Sequence, residues 1–276
     1  MKKSINIIPE TIAGEENNWL MEISKAGIDV LFYNTHPLTI NGLIKYEYNE
    51  LELHEHLPEY VAQIADEDWN KMAFKNTDIS FNFSEFILHP QQENASDNVA
   101  ELMDANFGKN NAAKLLEEKV KSRGINVFYR MDEELLAQCK KHYHHAAMHS
   151  STALQLTAVT VSATVLRLDV YSNFIKLILF KEGQLQTVLV KDYVTTNDVV
   201  FYMLQLCTLY SVNVLNVKII CTGMVTADGN LYLAINNYFS DVSMPGLADE
   251  ISIAAVMQDV APSFYYNLVM LASCVS

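Results

Sequence analysis

The sequence predicts an α/β protein built from two similar units, each a mixed β-sheet flanked by helices, in the order strand, strand, strand, helix, strand, helix. Three observations carry this. β-rich runs come in threes, with short turns between them, at 19–48 and again at 165–193. Each triplet leads into a stretch of helical period and then another strand, which in the second half is the near-continuous apolar run 217–221 of the kind a central parallel strand needs. The two halves also overlay at an offset of about 147 residues with no gap in the opening hairpin, so that Glu22 falls on Asp169, Gly27 on Phe174 and Ile28 on Ile175.

Taken in order, residues 1–18 are polar, carry Pro9 and Gly14, and read as an irregular lead-in or short edge strand. The run 19–23, WLMEI, is the first firm strand; 24–27 turns, and 28–33 is the second. A turn at 34–37 leads into a third strand over 38–48, LTINGLIKYEY, with Gly42 as a candidate bulge. Leu57, Val61, Ile64, Ala65 and Met72 then share one face of a helix over 54–72, with Pro58 in its first turn. The alternating stretch 78–89, DISFNFSEFILH, predicts one strand stopped by Pro90. Helices follow over 97–107, with Gly108 behind it, and over 112–121, ending at Gly124. A short strand at 125–129 precedes a helix from the cap Asp132 to Lys141. The stretch 142–164 suits either a helix capped by Ser150, Ser151 or Thr152 or a strand, and the boundary between units falls near Val161.

In the second half, 165–170, 174–180 and 185–193 are strands, the second pair joined by the tight turn Lys181-Glu182-Gly183-Gln184. Asn197 caps a heavily buried helix over 198–212. Residues 231–239 are helical or mixed, and the tail from Leu247 holds one or two helices, the last starting near Pro262.

Composition narrows the function classes. Half of the 276 residues are hydrophobic, enough for a sizeable core, and 33 acids against 19 bases give a formal net charge of -14 at pH 7. Phosphate backbones and anionic lipid repel such a chain, so neither nucleic acid nor membrane insertion is expected. Cys139, Cys207, Cys221 and Cys274 are widely spaced without metal-ligand spacing, which reads as reduced structural thiols. No signal-peptide core or bilayer-length apolar run occurs, so the chain reads as cytoplasmic.

A meander followed by a helical crossover into a parallel strand, made twice, resembles the ribonuclease H-like units of the actin-like ATPase superfamily: sugar kinases, the heat-shock chaperone ATPase, actin and its bacterial relatives. More closely, the chain resembles a bacterial family of unknown function assigned that fold. The resemblance implies lobes at 1–160 and 161–276, and opening hairpins that grip phosphate from two sides of a cleft. In active members each such hairpin carries an acid that positions a metal-bound water, a glycine that lets backbone N–H groups approach phosphate, then Ser/Thr and often Lys. Asp169, Ser172 and Lys176 match this pattern in VLRLDVYSNFIKL. Tyr171 stands at the glycine position, where it would crowd phosphate and strain a left-handed backbone by roughly 1 kcal/mol or more. In the first half Glu22 replaces the acid and Ser24 the glycine, with Lys25 following. The apolar strand ending in Thr222-Gly223 is similar to the adenosine motif, but Met224 replaces its second glycine.

These departures predict a degenerate site and a non-hydrolysing interaction or scaffold protein, with a protein partner or self-association. The alternative is an active ATPase or small-molecule kinase using ATP and Mg, with Asp169 and Glu22 as its acids and Ser172, Lys176, Ser24, Lys25, Thr222 and Gly223 around the nucleotide. His142, His144, His145 and His149 form either a metal-chelating pair or a solvated segment. The adjacent aromatics Phe264, Tyr265 and Tyr266 cannot all point inward, which offers part of the C-terminus to an interface.

Overall fold

The computed structural model describes residues 1–9, 17–48, 56–91 and 98–275. The chain forms two compact units: Met1–Ala158 with Glu250–Met257 and Met270–Ser276, and Val159–Asp249 with Gln258–Val269. The span 161–276 therefore includes two short segments that pack with the first unit.

In the first unit β1 (Lys2–Ile7), β2 (Asn17–Ser24), β3 (Gly27–Thr35) and β4 (Leu38–Glu47) are mutually antiparallel where they pair. The predicted lead-in is thus an edge strand lying on β4, and residues 10–16 lie outside the described residues. The bulge expected at Gly42 is present as a register shift between Phe32 and Tyr33, opposite Gly42 and Ile40. A Cβ on Gly42 would come within 2.5 Å of the Ile7 carbonyl oxygen, so the glycine lets β1 lie close against β4.

The crossover helix α1 (Leu57–Ala65) keeps Pro58 in its first turn but stops at Ala65, where a short 3₁₀ turn over Asp68–Lys71 takes over. That turn drives Trp69 into the core, edge-on to Trp19 and Phe32 at 6.0 and 5.3 Å between ring centres, with its indole N–H donating to the Tyr46 hydroxyl at 3.2 Å. Burying this ring and pairing its N–H offsets the lost helical turn. Expected residues 54–55 lie outside the described residues.

The single strand expected over 78–89 is two strands in different sheets, β5 (Asn76–Asn82), parallel to β2, and β6 (Phe86–Pro90). Alternation continues through the break, which is why pattern alone misses it. Asn82 ends β5 by donating to the buried Glu22 carboxylate, and the chain leaves the sheet there. After α2 (Val99–Phe107) comes the largest departure from expectation, because 112–121 is not helical but forms β7 (Ala113–Val120), antiparallel to β8 (Ile125–Asp132). Its Leu-Leu-Glu-Glu-Lys composition favours helix, and the ladder to β8 overrides that propensity. The small sheet runs β6-β8-β7. Next, α3 (Glu133–His142) is capped as expected by Asp132, which accepts from the Leu135 amide at 2.8 Å. β9 (Ala147–Ser150) then pairs parallel with β5, and α4 (Ser151–Ala158) gives the helix reading of 142–164, while the Thr- and Val-rich residues 159–164 that suited a strand are irregular.

In the second unit β10 (Val165–Val170), β11 (Phe174–Lys181) and β12 (Gln184–Asp192) form the meander, with Glu182 and Gly183 at φ 52° and 77° in the tight turn. α5 (Thr196–Leu209) begins one residue after its cap, which is Thr195 rather than Asn197: Thr195 and Asp198 satisfy each other's amides reciprocally. β13 (Lys218–Gly223) returns parallel to β10, α6 (Asn230–Asn236) follows, and β14 (Asp241–Ser243) adds on parallel to β13. β15 (Ser252–Ile253) pairs with β4 of the first unit, and α7 (Tyr266–Val275) ends the described chain after a 3₁₀ turn at Pro262–Phe264. The strand order β4-β3-β2-β5-β9 of the first unit has the same order and directions as β12-β11-β10-β13-β14 of the second. Leu166, Leu168, Ile175, Leu177, Ile219 and Cys221 point to one face of the second sheet, into a core shared with Val199, Met203 and Ile235 of α5 and α6.

A single histidine ties the small sheet of the first unit to the large one. His149 on β9 holds Asp78 of β5 through Nε2 at 3.2 Å and Glu118 of β7 through Nδ1 at 3.4 Å, while Glu118 also accepts the Ser150 amide. Burial lowers the affinity of the imidazole for its proton, but the hydrogen bonds and charges of Asp78 and Glu118 outweigh it and raise its pKa to about 9. His149 is therefore a cationic bridge between two carboxylates at neutral pH, with both ring nitrogens donating.

Two outcomes follow. Because the folded pKa lies above the unfolded value near 6.5, the His149 contribution is complete below that value and is lost as pH rises through about 9. The melting temperature should fall over that window, and His149→Gln should melt lower at pH 7 and lose most of that dependence. Separately, Gly223 has φ +85° and a Cβ there would meet the Val170 carbonyl oxygen at 2.1 Å. Gly223→Ala should cost about 3 kcal/mol or more in urea denaturation, because backbone must move.

Candidate functional site

Alternation along the second sheet sends Arg167 and Asp169 of β10, Lys176 of β11 and Thr222 of β13 to the face opposite the apolar core. Register brings them together: Asp169 is the direct cross-strand neighbour of Lys176 on one side and of Thr222 on the other. Asp169, Lys176 and Thr222 are each 0% exposed and Arg167 is 5% exposed. The Thr222 hydroxyl donates to Asp169 Oδ1 at 2.6 Å and lies 3.0 Å from the Asn267 side-chain amide of α7. Arg167 Nη2 stands 3.8 Å from the same carboxylate oxygen. Below the sheet, burial pushes the Cys221 thiol up to about 12, and the nearby Asp169 charge adds to the shift.

This is a charge-compensated, fully buried constellation. A carboxylate in that setting stabilises neighbouring cations and accepts hydrogen bonds well; to reach a solvated metal or a phosphate it would first have to be uncovered. The other expected residues of this half are differently placed. Ser172 is exposed at the turn after Tyr171, and Gly223 ends β13, where its backbone freedom is used by the close approach to Val170. Tyr171 does not carry the left-handed backbone expected for it, since among the described non-glycine residues only Glu182 and Ser211 have positive φ. The hairpin accommodates the side chain instead: the Tyr171 ring stacks on Phe174 at 4.2 Å with planes 7° apart. Its amide donates to the Phe174 carbonyl at 2.9 Å, and its carbonyl accepts the Tyr193 hydroxyl at 2.7 Å.

The first unit repeats the theme with different chemistry. Glu22, at the ladder position corresponding to Asp169, is 3% exposed and accepts from the Ser151 hydroxyl at 2.7 Å and the Asn82 amide at 3.3 Å. Ser24 closes its own turn, donating to the Gly27 carbonyl at 3.2 Å and accepting from the Ala26 amide at 3.1 Å. Lys25 is half-buried, and burial lowers its pKa. Where β3 carries Asp29, paired with Lys45 of β4 at 2.8 Å, β11 carries Lys176.

Asn267, Ser151, Asn82 and Arg167 complete these clusters and escaped sequence reasoning. Asn267 had a usable signal, a lone amide among apolar neighbours in YYNLVML. The others are legible only through register. The histidines do not assemble: His149 is engaged as above, while the His144 and His145 rings lie 3.8 Å apart beside a cavity of about 660 Å³ lined also by His142, Trp19, Phe74 and Asp78. Among the described residues, no three His, Cys, Asp or Glu come together as a metal site. Of the C-terminal aromatics, Tyr265 is fully buried, with Phe264 and Tyr266 half-buried. No described helix is long and apolar enough to cross a membrane.

Solved structures place this geometry. A Bacteroides thetaiotaomicron protein with an actin-like ATPase fold and unknown function superposes with a TM-score of 0.75 at 14% identity, over 94% of this chain and 96% of that one. The PilM-PilN type IV pilus biogenesis complex matches with a TM-score of 0.67 at 10% identity, over 95% and 99%. The ethanolamine utilization protein EutJ from Carboxydothermus hydrogenoformans matches with 0.50 at 6%, over 97% and 91%. No curated protein matches the sequence. The fold is that of the actin-like ATPases, and the match of residues 10–242 to the family described as protein of unknown function (DUF3822) makes the chain a member of that family.

Proposed function

We propose that this protein is a degenerate, cytoplasmic actin-like fold protein that does not hydrolyse ATP and acts by binding another protein. The equal strand order of the two units supports descent from a duplicated ribonuclease H-like unit, with lobes near 1–160 and 161–276. The observation that carries the functional reading is that three positions of the phosphate-gripping pattern are consumed internally. Asp169 is buried under the Thr222 hydroxyl, Tyr171 seals its hairpin by stacking on Phe174, and Ser24 closes its own turn. The net charge of -14 favours partners that are neutral or basic proteins over nucleic acid. A structural neighbour, PilM, is found in complex with PilN, which fits a fold of this shape working through a protein partner.

One observation favours the second reading, an ATP- and Mg-dependent ATPase or small-molecule kinase. An acid survives at the same ladder position of both units, Glu22 and Asp169, with Lys176 and Thr222-Gly223 alongside the latter. Asp169 would then position a metal-bound water, and Ser172, Lys176, Ser24 and Lys25 would approach phosphate.

A Mg-ATP thermal-shift titration separates the two. The scaffold reading expects no saturable shift and no phosphate release; a saturable rise of roughly 5 °C at a hundredfold excess over Kd would overturn its non-binding form. Asp169→Asn gives an independent measurement. A structural acid beside Arg167 and Lys176 should cost about 3 kcal/mol in urea denaturation when neutralised, because the buried cations lose their counter-charge. An acid held for catalysis should instead leave stability equal or higher while turnover falls.

A further inference from the structure

The two units treat the outer edge of their meanders differently. In the first, the outer strand β4 is covered by β1, which pairs antiparallel from Lys2–Glu47 to Ile7–Leu43. In the second, the corresponding strand β12 ends the sheet, and among the described residues no strand pairs with its outer side. Its features are not those of a protected edge. Gln184–Asp192, QLQTVLVKD, has no proline, and its two charges, Lys191 and Asp192, lie together at one end. The single register shift falls near its start, between Leu179 and Phe180 of β11, leaving Thr187–Asp192 in regular register. A regular, uncharged apolar edge is a template for another strand, and proteins that remain monomeric usually disarm it with charge, proline or a bulge.

We propose that β12 is a homodimer interface, in which two copies of this chain join their second-unit sheets by antiparallel β12–β12 pairing about a twofold axis. The proposal is independent of whether the protein binds ATP. β1 on β4 shows that this edge of the fold accepts an antiparallel strand. A second copy is favoured as occupant because the strand is self-complementary in one register. In a continuous sheet, opposed residues must share a face, so the twofold normal to the sheet runs between the strands midway between one residue and its own copy. Centred on Leu189, it sets Leu189 against its own copy and Val188 against the partner's Val190, and it places Lys191 opposite the partner's Thr187. Centred on Val190, it would oppose Leu189 to the partner's Lys191 and Val188 to the partner's Asp192. Of the registers centred on Val188, Leu189 and Val190, only the Leu189 register sets Val188, Leu189 and Val190 all against apolar partners and leaves no charge facing an apolar side chain.

The test is sedimentation equilibrium of the full chain over a wide concentration range. A reversible dimer is expected, strengthened by added salt because each copy carries a net charge of -14. Thr187→Lys sets two ammonium groups directly opposite each other in both halves of the interface and should weaken dimerisation about tenfold. Thr187→Glu faces the same lysines with carboxylates and should tighten it several-fold. The double variant Thr187→Lys, Lys191→Glu should recover the dimer, which distinguishes lost pairing from lost folding; unchanged circular dichroism checks the fold of each. A chain that stays monomeric at every concentration overturns the proposal and leaves the edge to a strand from another protein. A dimer whose dissociation constant ignores the sign of the charge at position 187 overturns it equally.

Discussion

The second unit depends on one pairing: β13 lying parallel to β10 so that Thr222 faces Asp169. That register gives the buried carboxylate a hydroxyl donor at 2.6 Å, and the same pairing delivers Gly223 against Val170, where no side chain fits. A slip of β13 by one residue would turn Thr222 into the apolar core under α5 and α6, bring Cys221 out of it, and take the hydroxyl from Asp169. Burying a charge without partners costs several kcal/mol, so the ionic face and the apolar face enforce the same register from opposite sides. In the first unit the equivalent ladder partner of Glu22 is Ser80, fully buried, and the carboxylate is satisfied instead by Ser151 and Asn82. The two units thus keep a buried acid by different means.

The turn at Tyr171 is likewise held by contacts within the chain. A phosphate-gripping turn needs backbone N–H groups turned outward with nothing above them. Here the Tyr171 amide is spent on Phe174, the ring lies flat on the Phe174 ring, and the carbonyl is held by Tyr193 from beyond the end of β12. Three contacts fix the turn without any ligand. The strain anticipated from the residue type is absent because the backbone adopts an ordinary conformation, so the turn holds the side chain without strain.

The meanders, the crossover order, the Asp132 cap and the Lys181–Gln184 turn were legible in the sequence because each rests on local chemistry: period-two alternation, a capping carboxylate, a glycine at positive φ. What escaped was decided by partners distant in sequence. Residues 113–120 have helical composition, yet β8 offers a complete ladder and Ser150 and His149 hold Glu118 at its far end. Alternation runs unbroken from Asp78 to His89, while the break at Asn82 is set by Glu22, 60 residues away. For the site, the residue types at Asp169, Lys176 and Thr222 were visible as a motif. Their complete burial and the part played by Asn267 were not, since these depend on what covers the sheet.

Electrostatics explains how an acidic chain tolerates so many buried ionisable groups. Among the described residues, four buried or partly buried bases are matched to acids: His149 to Asp78 and Glu118, Arg130 to Glu85 and Asp104, Lys45 to Asp29, and Arg167 to Asp169. His149 joins strands of two sheets, Arg130 ties a strand to a helix, and Lys45 links neighbouring strands, so each of these cations marks a junction that hydrophobic burial alone would leave free to slide, while Arg167 and Asp169 lie two residues apart on β10. With 33 acids and 19 bases, carboxylates exceed the available cations. A net charge of -14 opposes association of like chains, least along segments without charge. The stretch Gln184–Val190 is such a segment on an open sheet edge, which makes the distribution of charge, as much as the apolar residues themselves, the feature that directs where another strand can add.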